Sequence, residues 1–445
     1  MGYSEADTRL AGVMMAIIQV ICWIGFFNSE YGEYDAAVYE MYMGVALMML
    51  VGFGYLMTFL KLYGMGAVGF TFIITVLAVQ INVLLAAKLT PNSGTPVIDG
   101  SSLTDGNFGA ATILISYGCM IGKASPAQLV ILTVVESVLF QINRNYICVD
   151  MFGLEDAGGT IVIHMFGAYF GLAATKVMGK PKDAIGAEGT NATSDVLSLI
   201  GTVFLWLYWP SFNGGGFTGS PTDCVRALSN TIIGLLASTT CTFIASGLIN
   251  GRLNPVDIQN ATLAGGVAVG AVARLKIGLG WASVIGAGGG VISTLGYNVI
   301  QPFLQSKIGL HDSCGVHNLH GMPAMFGGLI SIVFVEATRA DTADLNEAGK
   351  AGGYQAASVG VTLAISLVGG LATGVLLRFY KEMIKAFFSP KSDGTDMLDR
   401  SQHFTDDRYW NVSSTSAEEM TAELSKQGLT PAQIKQMLAN QGIEA

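Results

Sequence analysis

Apolar runs long enough to cross a bilayer alternate with short polar loops along most of this chain. A transmembrane helix needs about 20 apolar residues to cover a ~30 Å hydrocarbon core. On that measure twelve spans are predicted, at roughly 10–28, 38–60, 66–87, 108–122, 127–149, 157–178, 194–212, 228–249, 258–273, 277–300, 319–336 and 357–379. The fourth and ninth are short. After about residue 386 the pattern changes. KSDGTDMLDRSQHFTDDRYW is polar, and TSAEEMTAELSKQGLTPAQIKQMLANQGIEA reads as two short amphipathic helices, the second starting at Thr430-Pro431. The expected fold is an all-α polytopic membrane protein, with a membrane domain over 1–386 and a polar tail over 387–445. The tail reads either as a solvated helical pair or as a contact for a cytoplasmic partner.

Composition supports the membrane class. Only 12% of the 445 residues are charged, against about 25% in soluble domains. The 57 glycines suit closely packed transmembrane helices. Net charge is −9, and no basic patch invites nucleic acid. The six cysteines form no CxxC pair; Cys22, Cys119, Cys148 and Cys241 lie in apolar runs, Cys224 and Cys314 in different loops, and most read as small core residues. The start, MGYSEADTR, makes a poor cleavable signal peptide, and Ala6 breaks the myristoylation pattern.

An even number of spans puts both termini on one side. The positive-inside rule makes that side cytoplasmic. Lys61, Lys123, Lys180, Lys182, Arg252, Lys307, Arg378, Lys381 and Lys385 then lie inside, and Lys88, Arg226, Arg274, Lys276, Arg339 and Lys350 outside. The sequons at Asn191, Asn260 and Asn411 fall inside or within the membrane, so they carry no glycosylation reading.

The chain has five histidines, three of them in HDSCGVHNLHG at 311–321. Shifting the sequence by 156 residues places LEDAGGTIVIHMFGAYFG (154–171) on LHDSCGVHNLHGMPAMFG (310–327). The shared pattern is D-x2-G-x4-H-x3-A-x-F-G, pairing Asp156 with Asp312 and His164 with His320. Each aspartate stands where an N-cap would. Each histidine is eight residues on, about 12 Å along a helix and near the bilayer midplane. The two spans run in opposite directions, so the repeat is inverted, as in transporters with a central site. A lone histidine on an apolar helix is usually a satisfied core residue. Inside a membrane ionisable groups are rare and face cavities, which makes His164 and His320 the candidate pair.

Other readings of these residues are weaker. His311, Asp312, Cys314, His317 and His320 are all potential metal ligands. Structural zinc uses two paired ligand sets, and only His317-x-x-His320 resembles one. Ser313 and Cys314 lie near histidines, as a nucleophile would, yet nothing builds an oxyanion hole. Neither a metal, another cofactor nor an enzyme activity is expected. Asn260 reads as a satisfied helix-packing residue rather than a pore contact. MYMGVALMML (41–50) reads as lipid-facing or core packing, and His403 as solvated.

DAGGTIVIHMFGAYFG, LYWPSFN (207–213), IQNATLAGGVAVGA (258–271), ISTLGYNVIQPFL (292–304) and HDSCGVHNLHGMP (311–323) together resemble the Rhesus branch of the ammonium transporter superfamily. The resemblance covers about 10–380. It implies a homotrimer in which each subunit holds its own narrow pore for ammonia. His164 and His320 would line that pore, joined by an imidazole–imidazole hydrogen bond. Phe108 and Phe212 would stack as an outer gate, with Asp156 structural and Asp312 its inner counterpart. Relatives in bacteria and plants carry a serine four residues after the second gate phenylalanine, and Gly216 stands here. A weaker outer cation site follows. Asp223 could attract cations, although it also reads as a solvated loop acid.

Physics favours a neutral cargo. A bare cation in hydrocarbon costs several kcal/mol, whereas ammonia needs one or two hydrogen-bond partners. Imidazole donates at one nitrogen and accepts at the other, and burial disfavours its charged form. A neutral His164–His320 pair is expected. Electrogenic ammonium uptake on the same fold, or passage of carbon dioxide or another small neutral gas, are the alternatives the sequence leaves open.

Overall fold

The structure, a computed structural model, describes residues 3–89, 95–179, 188–215, 221–338, 352–388, 405–410, 424–425 and 429–440. Each of the twelve predicted spans lies in a helix. These are α1 (Tyr3–Phe27), α2 (Ala36–Phe59), α3 (Gly64–Leu89), α4 (Gly100–Met120), α5 (Pro126–Met151) and α6 (Thr160–Met178). Then follow α7 (Ala192–Gly214), α8 (Pro221–Asn250), α9 (255–272), α10 (Leu279–Ile308), α11 (His317–Ala337) and α12 (Gly352–Phe388). A two-residue parallel bridge, Glu30–Tyr31 with Val97–Ile98, ties the α1–α2 loop to the loop before α4.

Among the described residues, ten of these helices are long and apolar enough to cross a membrane by length and composition; α4 and α9 are not among them. Both are almost wholly buried inside the protein, α4 from Gly106 to Met120 and α9 from Gln259 to Val272. A helix with no lipid-facing side can carry polar groups, provided they are satisfied. Ser116 Oγ of α4, for example, lies within hydrogen-bond reach of both Glu136 Oε1 (2.6 Å) and the Gly167 carbonyl (2.7 Å).

The 156-residue repeat extends far beyond the two histidine segments. Shifted by 156, α2 to α6 fall on α7 to α11 within a few residues. Asp35, whose side chain caps α2, falls on Asn191, whose side chain caps α7. Three pairs of left-handed glycines match: Gly122 with Gly278, Gly153 with Gly309, and Gly159 with Gly315. The Leu154 N–H to Cys148 carbonyl bond recurs as Leu310 to Leu304. Five helices per half is an odd number, so the second half enters from the opposite face. The helices α1 and α12 stand outside the repeat.

The chain's N-terminus and the end of α12 share one face. Asp7 accepts from Ser125 Oγ (2.8 Å), the Ala127 N–H (3.2 Å) and Tyr380 Oη (3.0 Å). A short helix in the tail, α13 (Asp406–Tyr409), meets the same face. Asp406 accepts from the N–H groups of Met65 and Gly66 at 2.7 and 2.6 Å, satisfying orphan donors at the start of α3. Trp410 lies 5.1 Å from Phe70. The second predicted tail helix is present as α14 (Pro431–Asn440); most of the first lies outside the described residues, as does His403.

Candidate pore and its twin-histidine centre

Each central histidine sits on a helix whose first turn is tied by an aspartate. The aspartates are not N-cap residues, as the sequence suggests, but reach the first turn from the preceding loop. Asp156 Oδ2 accepts from both Ile161 (2.8 Å) and Val162 (2.9 Å). Asp312 divides the work: Oδ1 accepts from Gly315 (3.1 Å) and Oδ2 from His317 (2.8 Å). Helical structure therefore begins at Thr160 and His317, and His164 lies only about 6 Å along its helix rather than about 12 Å. A left-handed glycine makes each turn possible, Gly159 at φ 62° and Gly315 at φ 74°. Both first turns are wide π-type coils, which often occur at functional sites.

The two helices run antiparallel where they meet, with Gly321 beside Ala168 and Gly328 beside Ile161. His164 Nδ1 and His320 Nδ1 are 3.1 Å apart, and the ring planes are nearly parallel, at 9°. One Nδ1 must donate and the other accept, so the pair as built is neutral or singly protonated. His164 Nε2 is buried without a partner among the described residues. A polar atom left so costs about 1–3 kcal/mol, and a small hydrogen-bonding guest would relieve it.

Aromatic rings continue the line on both sides. Phe108 and Phe212 meet edge to face at 4.9 Å, and Phe212 is 5.6 Å from His164. Trp209 stacks on His164 at 5.6 Å, and Phe53 on His320 at 6.0 Å. Sequence reasoning misses Trp209 and Phe53. The signal was available, because they are themselves 156 residues apart. Each half lends a ring to the other half's histidine.

Two cavities flank this line. One, of about 210 Å³, lies on the Phe108 side and is bordered by Arg144, Glu155, Asp156 and Arg274. Arg274 is ion-paired with Glu155. Burial pushes the Asp156 carboxyl up to about 7, against the pull of the Val162 and Ile161 N–H groups. The other cavity is about 20 Å³, lined by Phe53, Asn260, Tyr297, Cys314 and His320 among others. A water needs roughly 10–15 Å³ measured this way, so the space takes one molecule of that size.

The remaining predicted residues divide. His311 does not join His320; its Nε2 lies 3.1 Å from Glu188. His317 packs edge-on against Tyr169 at 5.7 Å. The Asn260 amide donates to the Val256 carbonyl at 2.9 Å and also borders the small cavity. Asp223 pairs with Arg226 at 2.9 Å in the first turn of α8. Gly216 lies outside the described residues. Lys123 is buried rather than solvated, donating to Thr175 and, at 2.8 Å, to the His311 carbonyl.

Two inverted five-helix halves, meeting at paired imidazoles within a line of aromatic rings, have the architecture of membrane transport proteins built from inverted repeats. The chain matches the Ammonium Transporter Family over residues 13–400. It is 38% identical over 397 residues to ammonium transporter Rh type B of Danio rerio, covering 84% of this chain and 82% of that one. It is 41% identical over 348 residues to ammonium transporter Rh type A of Mus musculus, covering 77% and 76%. Among solved structures, the Rh50 protein of Nitrosomonas europaea superposes with a TM-score of 0.72 at 31% identity, over 88% of this chain and 98% of that one. This protein belongs to the ammonium transporter family, in its Rhesus branch.

Proposed function

We propose that this protein conducts ammonia, supplied as ammonium, through a pore in each subunit of a homotrimer. The observation that carries the reading is the His164–His320 contact at 3.1 Å beside a cavity of about 20 Å³. A space that size, walled mostly by apolar side chains with His320, Asn260 and Tyr297 among them, suits one small neutral molecule. An ammonium ion there would exchange its hydration shell for two neutral imidazoles, at a cost of several kcal/mol. Ammonia sacrifices only a few hydrogen bonds, and the imidazole nitrogens replace them.

Phe108 and Phe212 act as the gate at which ammonium sheds its hydration shell, its proton passing back to water in the outer vestibule so that only ammonia goes on. Asp156 and Asp312 act structurally, fixing the turns that hold the histidines. The protein lies in the plasma membrane with both termini cytoplasmic, so the Phe108 side faces out. Residues 1–386 form the channel, and 387–445 form a cytoplasmic tail. The family's activity is transport, and no catalytic role is assigned. Stopped-flow recording of internal pH in proteoliposomes tests the reading. An ammonium gradient should alkalinise protein-loaded vesicles several-fold faster than empty ones. A rate equal to that of empty vesicles, with carbon dioxide accelerated instead, would overturn it.

A further inference from the structure

The Phe108–Phe212 gate carries a cation of its own. Asp105 and Phe108 lie one turn apart on α4, and Arg144 of α5 reaches both. Its guanidinium carbon sits 5.8 Å from the Phe108 ring centre. Nη2 donates to Asp105 Oδ1 at 2.8 Å, and Nη1 to Asn145 Oδ1 at 3.2 Å. Asn145 is held in turn by Gln141, its amide donating to Oε1 at 2.7 Å. The Asp105 side chain is 36% exposed and that of Arg144 17%. The carboxylate is thus the outer member of the pair and the guanidinium the inner one. Arg144, with Phe108, lines the cavity of about 210 Å³ above the gate.

An aromatic face attracts cations through its quadrupole, and guanidinium is a strong partner for it. The Phe108 face on the vestibule side is where an arriving ammonium, methylammonium or potassium ion would dock. Here the protein's own cation already holds that place, tethered by Asp105 and Asn145. A second cation meets an occupied face and a like charge. A neutral molecule of ammonia's size meets neither penalty.

We propose that Arg144 is a charge-selectivity residue of this pore, denying external cations the Phe108 face while Asp105 draws them only as far as the rim. The inference rests on the ammonia-transport reading and adds to it the group that sets discrimination between cation and neutral species at the entrance.

Proteoliposomes carrying wild type, Arg144→Gln or the double variant Asp105→Asn/Arg144→Gln test it. The double variant separates loss of the guanidinium from gain of a bare carboxylate. Ammonia conductance is followed by internal pH while methylammonium chloride replaces choline chloride at constant ionic strength. Both variants should be blocked by methylammonium at a concentration lower by about tenfold, the scale of a cation–π contact. Arg144→Lys, which keeps the charge, should resist block as wild type does. Equal inhibition of wild type and both Gln variants, all conducting ammonia, overturns the role of Arg144. Should Arg144→Gln fail to fold, the comparison of Arg144→Met with Arg144→Lys decides by the same criterion. Absence of protein-dependent ammonia flux in wild type contradicts the transport reading itself, and this inference with it.

Discussion

Asp156 and Asp312 occupy equivalent places in the repeat, yet the same change should affect them unequally. Asp156 uses one oxygen for both of its N–H partners, and Oδ1 is buried without a partner among the described residues. An asparagine can keep Oδ1 where Asp156 has its bonded oxygen, so both bonds survive without their charge assistance. Asp312 uses both oxygens, one for each N–H. Asparagine there must lose one bond and turn an NH2 toward an N–H donor. Hydrogen bonds to charged groups contribute about 1.5–3 kcal/mol. Asp312→Asn is therefore expected to destabilise by about 2–3 kcal/mol, and Asp156→Asn by less than about 1 kcal/mol. Equilibrium unfolding in mixed detergent micelles, titrated with sodium dodecyl sulfate, gives the two values. Equal losses, or a larger loss at Asp156, would refute the reasoning.

The same carboxylate has a pH signature. Its folded-state pKa of about 7 lies above the ordinary 3.8 because of burial. An acid raised in this way contributes stability fully present below the unfolded value and lost as pH rises through the folded one. The stability of wild type relative to Asp156→Asn should fall between about pH 4 and pH 7. A difference that rises over that window would contradict the assignment. Trp209→Phe, which copies the ring of the other half, should retain ammonia conductance, whereas Trp209→Ala should lose it along with about 3–5 kcal/mol of stability; a stopped-flow and unfolding comparison distinguishes them. Gly286→Ala would place a Cβ 2.1 Å from the Gly234 carbonyl oxygen, and such overpacking costs about 1–3 kcal/mol or more, read by the same titration. Asp406→Ala removes a cap on α3 worth about 0.5–2 kcal/mol, and limited trypsin digestion should release the tail faster; an unchanged rate would show that the contact does not hold it.

The spans were legible because lipid demands a long apolar run, and that demand survives any detail of packing. Helices α4 and α9 read as short for the complementary reason: they face protein, where satisfied polar groups such as Ser116 replace apolar ones. The histidine pair was legible through its repeat, since a charged or polar group in the membrane is conspicuous. Trp209 and Phe53 were harder, because an aromatic in an apolar run is ordinary until its equivalent is sought 156 residues away. Arg144 and the Asp406–Met65 bond could not be read at all. Both depend on which helices become neighbours, and Asp406 lies 341 residues from its partner.

The account stands most directly on the two imidazoles. Ammonia permeability of proteoliposomes carrying His164→Ala, with its oligomeric state compared with wild type alongside, is the measurement. Removing the His164 imidazole, one of the 3.1 Å pair, takes away the buried Nε2 that has no partner among the described residues and could serve ammonia, and a fall of about tenfold follows from the usual worth of one hydrogen bond. Permeability unchanged from wild type would contradict a pore centred on His164 and His320.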